Sequence, residues 1–361
     1  MKKTVLALAA IAASSAAFAQ SSVTLYGVAD ASVESVKGDH TLTRVSSDNL
    51  ASSRIGFKGV EDLGGGLKAN FVLESGVKID TGANNNSSRF FDRSAWVGLS
   101  GGFGEARIGR QDSLIGGQIA GAIGAQGYDE SVIAQTLGGV TYRRIDNALT
   151  YFAPAFVPGL TLAAQYSTAV DNAVTGAVNA ETTYGNNAGR AYGFLANYAN
   201  GPVSGGLSYI HVNTDAAGNI ENTGLFAYGA YDFGVAKLTA YYNADDRDGN
   251  FDDRNVYGLR VAVPVVSNVT LTAGYAQVRG AKGTATSTAT PGNFNAKSTP
   301  DDKASILTLK AQYDLSKRTA LYALYTQVYN DKNTNLAVAS VPLTVNDKGS
   351  RGLAVGVRHS F

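Results

Sequence analysis

The 361-residue chain has no cysteine, one methionine, one tryptophan and three histidines. Without cysteine there is neither a disulfide framework nor a thiolate metal site. His40, His211 and His359 are scattered singly, and no His-x-x-x-His or Glu-x-x-His spacing occurs. A metal or nucleophilic centre has little to be built from. The formal net charge is +1, so no strong basic field argues for nucleic acid. Beyond residue 19 no apolar run approaches the ~18 residues of a membrane-spanning helix.

What the chain does have begins with an address. Lys2 and Lys3 precede a short apolar run, Val5 to Ala13, and Ala17-Phe18-Ala19 is a small-x-small cleavage site. This layout predicts a secretory signal peptide over residues 1–19, cleaved to leave a mature chain from Gln20. Loss of the two lysines leaves a near-neutral, slightly acidic balance. The remainder, 20–361, reads as one unit. The 42 Gly, 19 Tyr and 14 Phe of the full chain suit many short strands and turns better than helices. Only a closed barrel crosses a membrane without helices, because hydrocarbon satisfies no backbone groups.

A strand period runs through the chain. Val23, Leu25, Gly27 and Ala29 alternate with Thr24, Tyr26, Val28 and Asp30. Ile55 and Phe57 alternate with Arg54, Gly56 and Lys58. Leu67, Ala69, Phe71 and Leu73 alternate with Lys68, Asn70 and Glu74. Further strands are expected near 89–100, 104–112, 141–152, 160–169, 190–199, 203–213, 222–232, 236–246, 254–263, 269–279, 302–313, 319–329 and 350–361, making about sixteen. Short connections such as Gly64-Gly65-Gly66 and Asn200-Gly201-Pro202 alternate with long ones at 38–51, 79–88, 113–140, 170–189, 214–221, 247–253, 280–301 and 330–349. Short periplasmic turns and long extracellular loops give this rhythm. The expected fold is all-β: a sixteen-stranded antiparallel transmembrane barrel. A soluble β-sandwich also alternates, but sixteen strands with every long loop at one end would be unusual for it.

Several weaker signals favour nothing else. The glycine-rich turn Gly64-Gly65-Gly66-Leu67-Lys68 is not followed by a helix, so it is a turn and not a phosphate loop. Asp246 to Asp253 starts with calcium-loop spacing but lacks the glycine at position six and the closing Glu. An enzyme barrel would need a His with a Ser or Asp partner on one wall, and Ser208 and His211, three apart, point to opposite faces. A plugged transporter would need a globular plug and ~22 strands, yet strand one follows the signal directly.

Four stretches resemble one family. They are Ser22-Val23-Thr24-Leu25-Tyr26-Gly27-Val28-Ala29-Asp30, the hairpin from Ser53 to Ala69, the hairpin from Trp96 to Gln111, and the terminal Val357-Arg358-His359-Ser360-Phe361. The chain thereby resembles the Gram-negative porins of the Burkholderia, Bordetella and Neisseria type. The resemblance implies a homotrimer in the outer membrane, in contact with its lipid and lipopolysaccharide, that passes ions and small hydrophilic solutes, often with anion preference. It implies a third loop folded into the bore and no cofactor. It also implies that Phe361, closing the last strand, is read by the barrel assembly machinery. The third loop departs from the pattern: Ser113 to Gly139 is rich in Ala and Gly and poor in charge.

Such a channel needs an eyelet, where loop carboxylates face a basic wall. The loop candidates are Asp129 and Glu130, with Asp112 at its root. The wall follows from the pleat. Ile55, Phe57, Ala106 and Ile108 need the apolar side, so Arg54, Lys58, Glu105, Arg107 and Gln111 face the lumen. A charge on the lipid side near mid-membrane costs about 2–4 kcal/mol. Arg260 points inward by the same logic. Arg110 and Arg143 join the expected basic wall, although they, like Arg89, Arg93 and Arg144, lie near strand ends where a one-residue bulge reverses the face. Subunit packing is expected on the early strands, whose outward Ala31, Val33, Ile55, Ala69, Ala95 and Val97 are smaller than the later Tyr166, Tyr192, Phe194, Tyr198, Tyr242 and Tyr275. A solute-selective porin stays open as a second reading.

Overall fold

The computed structural model describes residues 22–124, 143–168, 189–213, 221–247, 254–280, 303–332, 334, 336–338 and 347–361. The expected signal peptide, Asp129, Glu130 and 248–253 lie outside the described residues. Strands run β1 Ser22–Lys37, β2 Thr41–Ser47, β3 Arg54–Gly64, β4 Leu67–Gly76, β5 Ser94–Gly101 and β6 Gly104–Asp112. A helix, α1 Leu114–Ile123, follows. Then come β7 Arg144–Phe152, β8 Leu160–Ser167, β9 Ala191–Asn200, β10 Val203–Asn213, β11 Glu221–Asp232, β12 Lys237–Arg247, β13 Arg254–Val266, β14 Val269–Arg279, β15 Lys303–Asp314, β16 Thr319–Asn330 and β17 Ser350–Ser360.

Each strand pairs antiparallel with its neighbours, and β17 returns to β1 from Val28↔Ser360 to Lys37↔Arg351. Closure leaves no sheet edge with unpaired backbone groups, as a bilayer demands. The seventeen segments make sixteen staves. β2 and β3 share one stave: β2 pairs with Ala31–Lys37 of β1, and β3 with Ser22–Val28. The expected long loop 38–51 is therefore corrected. It holds a strand, and the break comes later, at 48–53.

That break folds inward. Ser53 and Asn49 are buried against β1, where Asp30 and Glu34 are also fully or almost fully buried. Asp30 accepts from the Ala51 N–H at 3.0 Å and from the Tyr322 hydroxyl at 2.6 Å. Glu34 accepts from the Asn49 amide at 2.9 Å and pairs with Arg44. Buried carboxylates persist only when partnered in this way.

Among the described residues the outer face carries a band of large apolar side chains on strands all around the barrel. Leu25, Ile55, Phe57, Val97, Ile108, Leu149, Phe194, Leu207, Leu259, Leu309 and Val355 are all exposed. On a water-soluble protein this would be one continuous sticky surface; against lipid it is the solvent-matched face. The seam is closed by the last residue: Gly27 and Phe361 exchange two backbone hydrogen bonds of 3.1 Å. The Phe361 ring lies over Gly27, where a Cβ would come within 2.3 Å of it. Gly27 is the residue that lets the terminal ring lie flat on β1.

Candidate functional site: an inward helix and a charged wall

Helix α1 begins where β6 ends. Ser113 caps it, its hydroxyl accepting from the Gly116 N–H at 3.0 Å, which satisfies one of the orphan donors of the first turn. Ile115, Ile119 and Ile123 repeat at the helical period and form one stripe. They pack into a buried cluster with Ile145, Ala191, Ile210 and Phe226 of the inner wall. Burial stabilises each isoleucine by roughly 1.5–3 kcal/mol, an upper figure for a chain that is partly collapsed before folding. Polar ties fix the register. The Gln165 amide donates to Asp112 O at 3.1 Å and to Thr150 Oγ1 at 2.7 Å, and its oxygen accepts from the Leu114 N–H at 3.1 Å. The third loop thus enters the barrel as a helix lying on β8 to β11. Its poverty in charge is the price of that apolar contact.

Opposite runs a wall of arginines. Arg54 and Arg93 both reach Glu74, at 3.5 and 2.6 Å. Arg143 and Arg144 both reach Asp112, at 3.0 and 3.4 Å, and Arg143 also donates to Gly116 O of the helix. Arg54 lies within electrostatic range of Arg93 and Arg143, and Arg144 within range of Arg93 and Arg143. Arg93, Arg143 and Arg144 line a common cleft of about 140 Å³ with Ser52, Ser53 and Asn85. Four guanidiniums thus share Glu74 and Asp112; Asp48, held by Lys78 at 2.7 Å, lines the same cleft, and Asp92 lies within electrostatic range of Arg144. Lys58 stands on the same face of β3, one alternation beyond Gly56, with its ammonium 5.2 Å from the centre of the Tyr26 ring.

The expected residues divide. Arg54 and Lys58 stand on the lumen side, as read from the pleat; Arg143, just before β7, and Asp112, at the end of β6, meet at 3.0 Å beside the start of the helix. Arg107 also faces the lumen but stands apart from this cluster. Its Nε and Nη2 donate to Glu105 at 2.9 and 2.8 Å, and its guanidinium lies 4.5 and 4.6 Å from the centres of the Trp96 and Phe152 rings.

Arg110 is corrected. It stands across from Ala95, as Ile108 stands across from Val97, on the outward face. There it meets Asp146, which also holds Arg89 at 2.9 Å. Alternation from Ile108 puts it there, and the bulge between Gly109 and Gln111 sets Asp146 and Asn147 of β7 opposite it. Gly109 has φ 125° and Asn147 φ 51°, a region glycine and asparagine tolerate best. These two residues mark the bulge. Arg93 and Arg144 stay undecided in the sequence because alternation fails at strand ends, and Gln165 carries no motif at all.

A closed antiparallel barrel, apolar outside, charged within and narrowed by an inward helix, is a transmembrane channel of the porin class. The chain belongs to the Gram-negative porin family, whose model matches residues 5–333. It is 32% identical to outer membrane porin protein 32 of Delftia acidovorans and 31% identical to an outer membrane porin protein of Bordetella pertussis, with both chains covered completely in each case. Among solved structures it is similar to an anion-selective porin from Comamonas acidovorans, at TM-score 0.78 and 29% identity, covering 95% of this chain and all of that one. The protein is an outer-membrane porin.

Proposed function

We propose that this porin works as a homotrimeric general diffusion channel with a weak preference for anions. Ions and small hydrophilic solutes cross passively, and no catalytic step is involved. The observation that carries the sign is the sharing of Glu74 and Asp112 among Arg54, Arg93, Arg143 and Arg144, with Lys58 beside them. In a narrow bore such charges lie within about one Debye length, ~10 Å at 0.1 M salt, of every passing ion. The anion-selective relative supports the same sign. Asp129 and Glu130 are the loop carboxylates expected to face this wall.

The mature chain is 20–361, after removal of 1–19. Phe361 is the group the barrel assembly machinery would read, and lipopolysaccharide is the lipid expected against the outer face. Trimer packing is assigned to the early staves, where the outward residues are small. Mass photometry of the refolded protein in detergent should find three protomers per particle, and a planar bilayer should show stepwise conductance. A persistent monomer refutes the trimer. Refolded protein that inserts without steps refutes the channel.

A further inference from the structure

A cavity of about 500 Å³ lies in the lumen between helix α1 and the wall. We propose that it is a binding subsite for neutral ring sugars in transit. The inference rests on the porin reading and adds a substrate class to it.

Charge argues first. Arg107 lines the cavity, but its guanidinium is clamped flat between two rings and bound twice by Glu105. Asp112, at the other edge, is held by Arg143 and Arg144. An anion entering here would lose water and find the one lining cation, Arg107, already paired with Glu105, and the Asp112 carboxylate at the rim, a net cost.

Hydrogen bonding argues second. The Tyr228 hydroxyl donates to Asn197 Oδ1 at 2.7 Å, and Gln118 Nε2 approaches the same oxygen at 3.5 Å while donating to Ala196 O at 3.3 Å. The acceptor of Asn197 is thereby filled, and its two N–H donors meet no described residue. Gln118 is only 6% exposed, and its Oε1 has no donor among the described residues. The cavity therefore offers donors and an unfilled acceptor close together. A hydroxyl group gives and accepts at once and can satisfy both. An alkyl solute would leave them unpaired, which costs about 1–3 kcal/mol for each such group.

Shape argues third. Tyr228 lines the same cavity, as do Trp96 and Phe152 on the sides turned away from Arg107. Aromatic rings beside amides match a pyranose, which has an apolar C–H face and a rim of hydroxyls.

Trp96 is the only tryptophan in the chain, so its emission reports on this cavity without labelling. Refolded protein should be titrated with D-glucose and maltose, with tetraethylene glycol and succinate as comparators. Glucose and maltose should give a saturable change in Trp96 emission and brief interruptions of single-channel current, and the comparators neither. Asn197→Asp keeps the acceptor for Tyr228 but removes the donors; it should raise the midpoint by about tenfold, the loss of one good hydrogen bond. Phe152→Leu should weaken binding severalfold, and it serves if the first variant does not fold. Conductance steps without a saturable sugar response overturn the subsite and leave the porin reading standing. A saturable response to succinate, or midpoints unmoved in both variants, also overturns it. Absence of both steps and response overturns the two readings together.

Discussion

A porin carrying Arg54→Gln, Lys58→Gln and Arg93→Gln should lose its anion preference and become cation-preferring. Each of these side chains reaches the lumen face beside Glu74, and Arg54 and Arg93 are the two partners that hold it. A unit charge at about 8 Å in a water-like dielectric contributes roughly 0.5 kcal/mol, about halved by 0.1 M salt, and with opposite sign for anion and cation. Three such charges sum to a difference of about 1.5 kcal/mol, so the anion-to-cation permeability ratio should fall by about tenfold. Glu74, left without Arg54 and Arg93, adds to the shift. Arg143 and Arg144 are retained in this variant because they also tie Asp112 and the start of the helix. The barrel should fold normally, since the outward residues and the seam are untouched. An unchanged reversal potential in a folded triple variant would mean that these side chains do not sense the permeating ions.

The second large effect concerns bore size. Replacing Leu114–Ile123 by a short Gly-Ser link should raise single-channel conductance by about twofold. A helix about 10 Å across occupies a section comparable to the passage beside it, so removing it roughly doubles the open area. The variant should be less stable. Ile115, Ile119 and Ile123 would no longer cover Ile145, Ile210 and Phe226, whose side chains point into the lumen. Reduced thermal stability with doubled conductance is the expected pair of results. Unchanged conductance in a folded variant would show that the narrowest section lies elsewhere.

The helix also explains why parts of the wall are hard to read in the sequence. The outward face is plain along the strand middles, because lipid favours apolar residues there, and the positions of Ile55, Phe57, Ile108, Leu353 and Val355 follow directly; Arg110, paired with Asp146, is an exception near a strand end. The inward face of such a barrel is expected to be polar. Instead Ile210, Val212 and Phe226, on the staves under the helix, occupy inner positions and are buried. Where a segment folds into the bore, the wall behind it becomes core, and alternation turns into a nearly continuous apolar run. β2 escapes the pattern for a different reason. Thr41 to Ser47 carries only Leu42 and Val45 as apolar residues, one on each face, so period two leaves no trace in it. Arg110 lies two residues beyond Ile108, so alternation itself sends it outward, against the expectation that placed it in the basic wall. The charges that gather at Glu74 and Asp112 are only half legible. Arg54 and Lys58 fall on the wall by alternation, whereas Arg93, Arg143 and Arg144 sit at strand ends where the pleat no longer dictates direction.

The central claim is that these arginines give an open aqueous channel a preference for anions. The reversal potential of the unmodified protein in a planar bilayer, across a potassium chloride gradient, tests it most directly, because the two ions have nearly equal mobility in water. The account predicts stepwise insertions and a potential displaced toward the chloride equilibrium value. A potential of zero, or one displaced toward potassium, would contradict it.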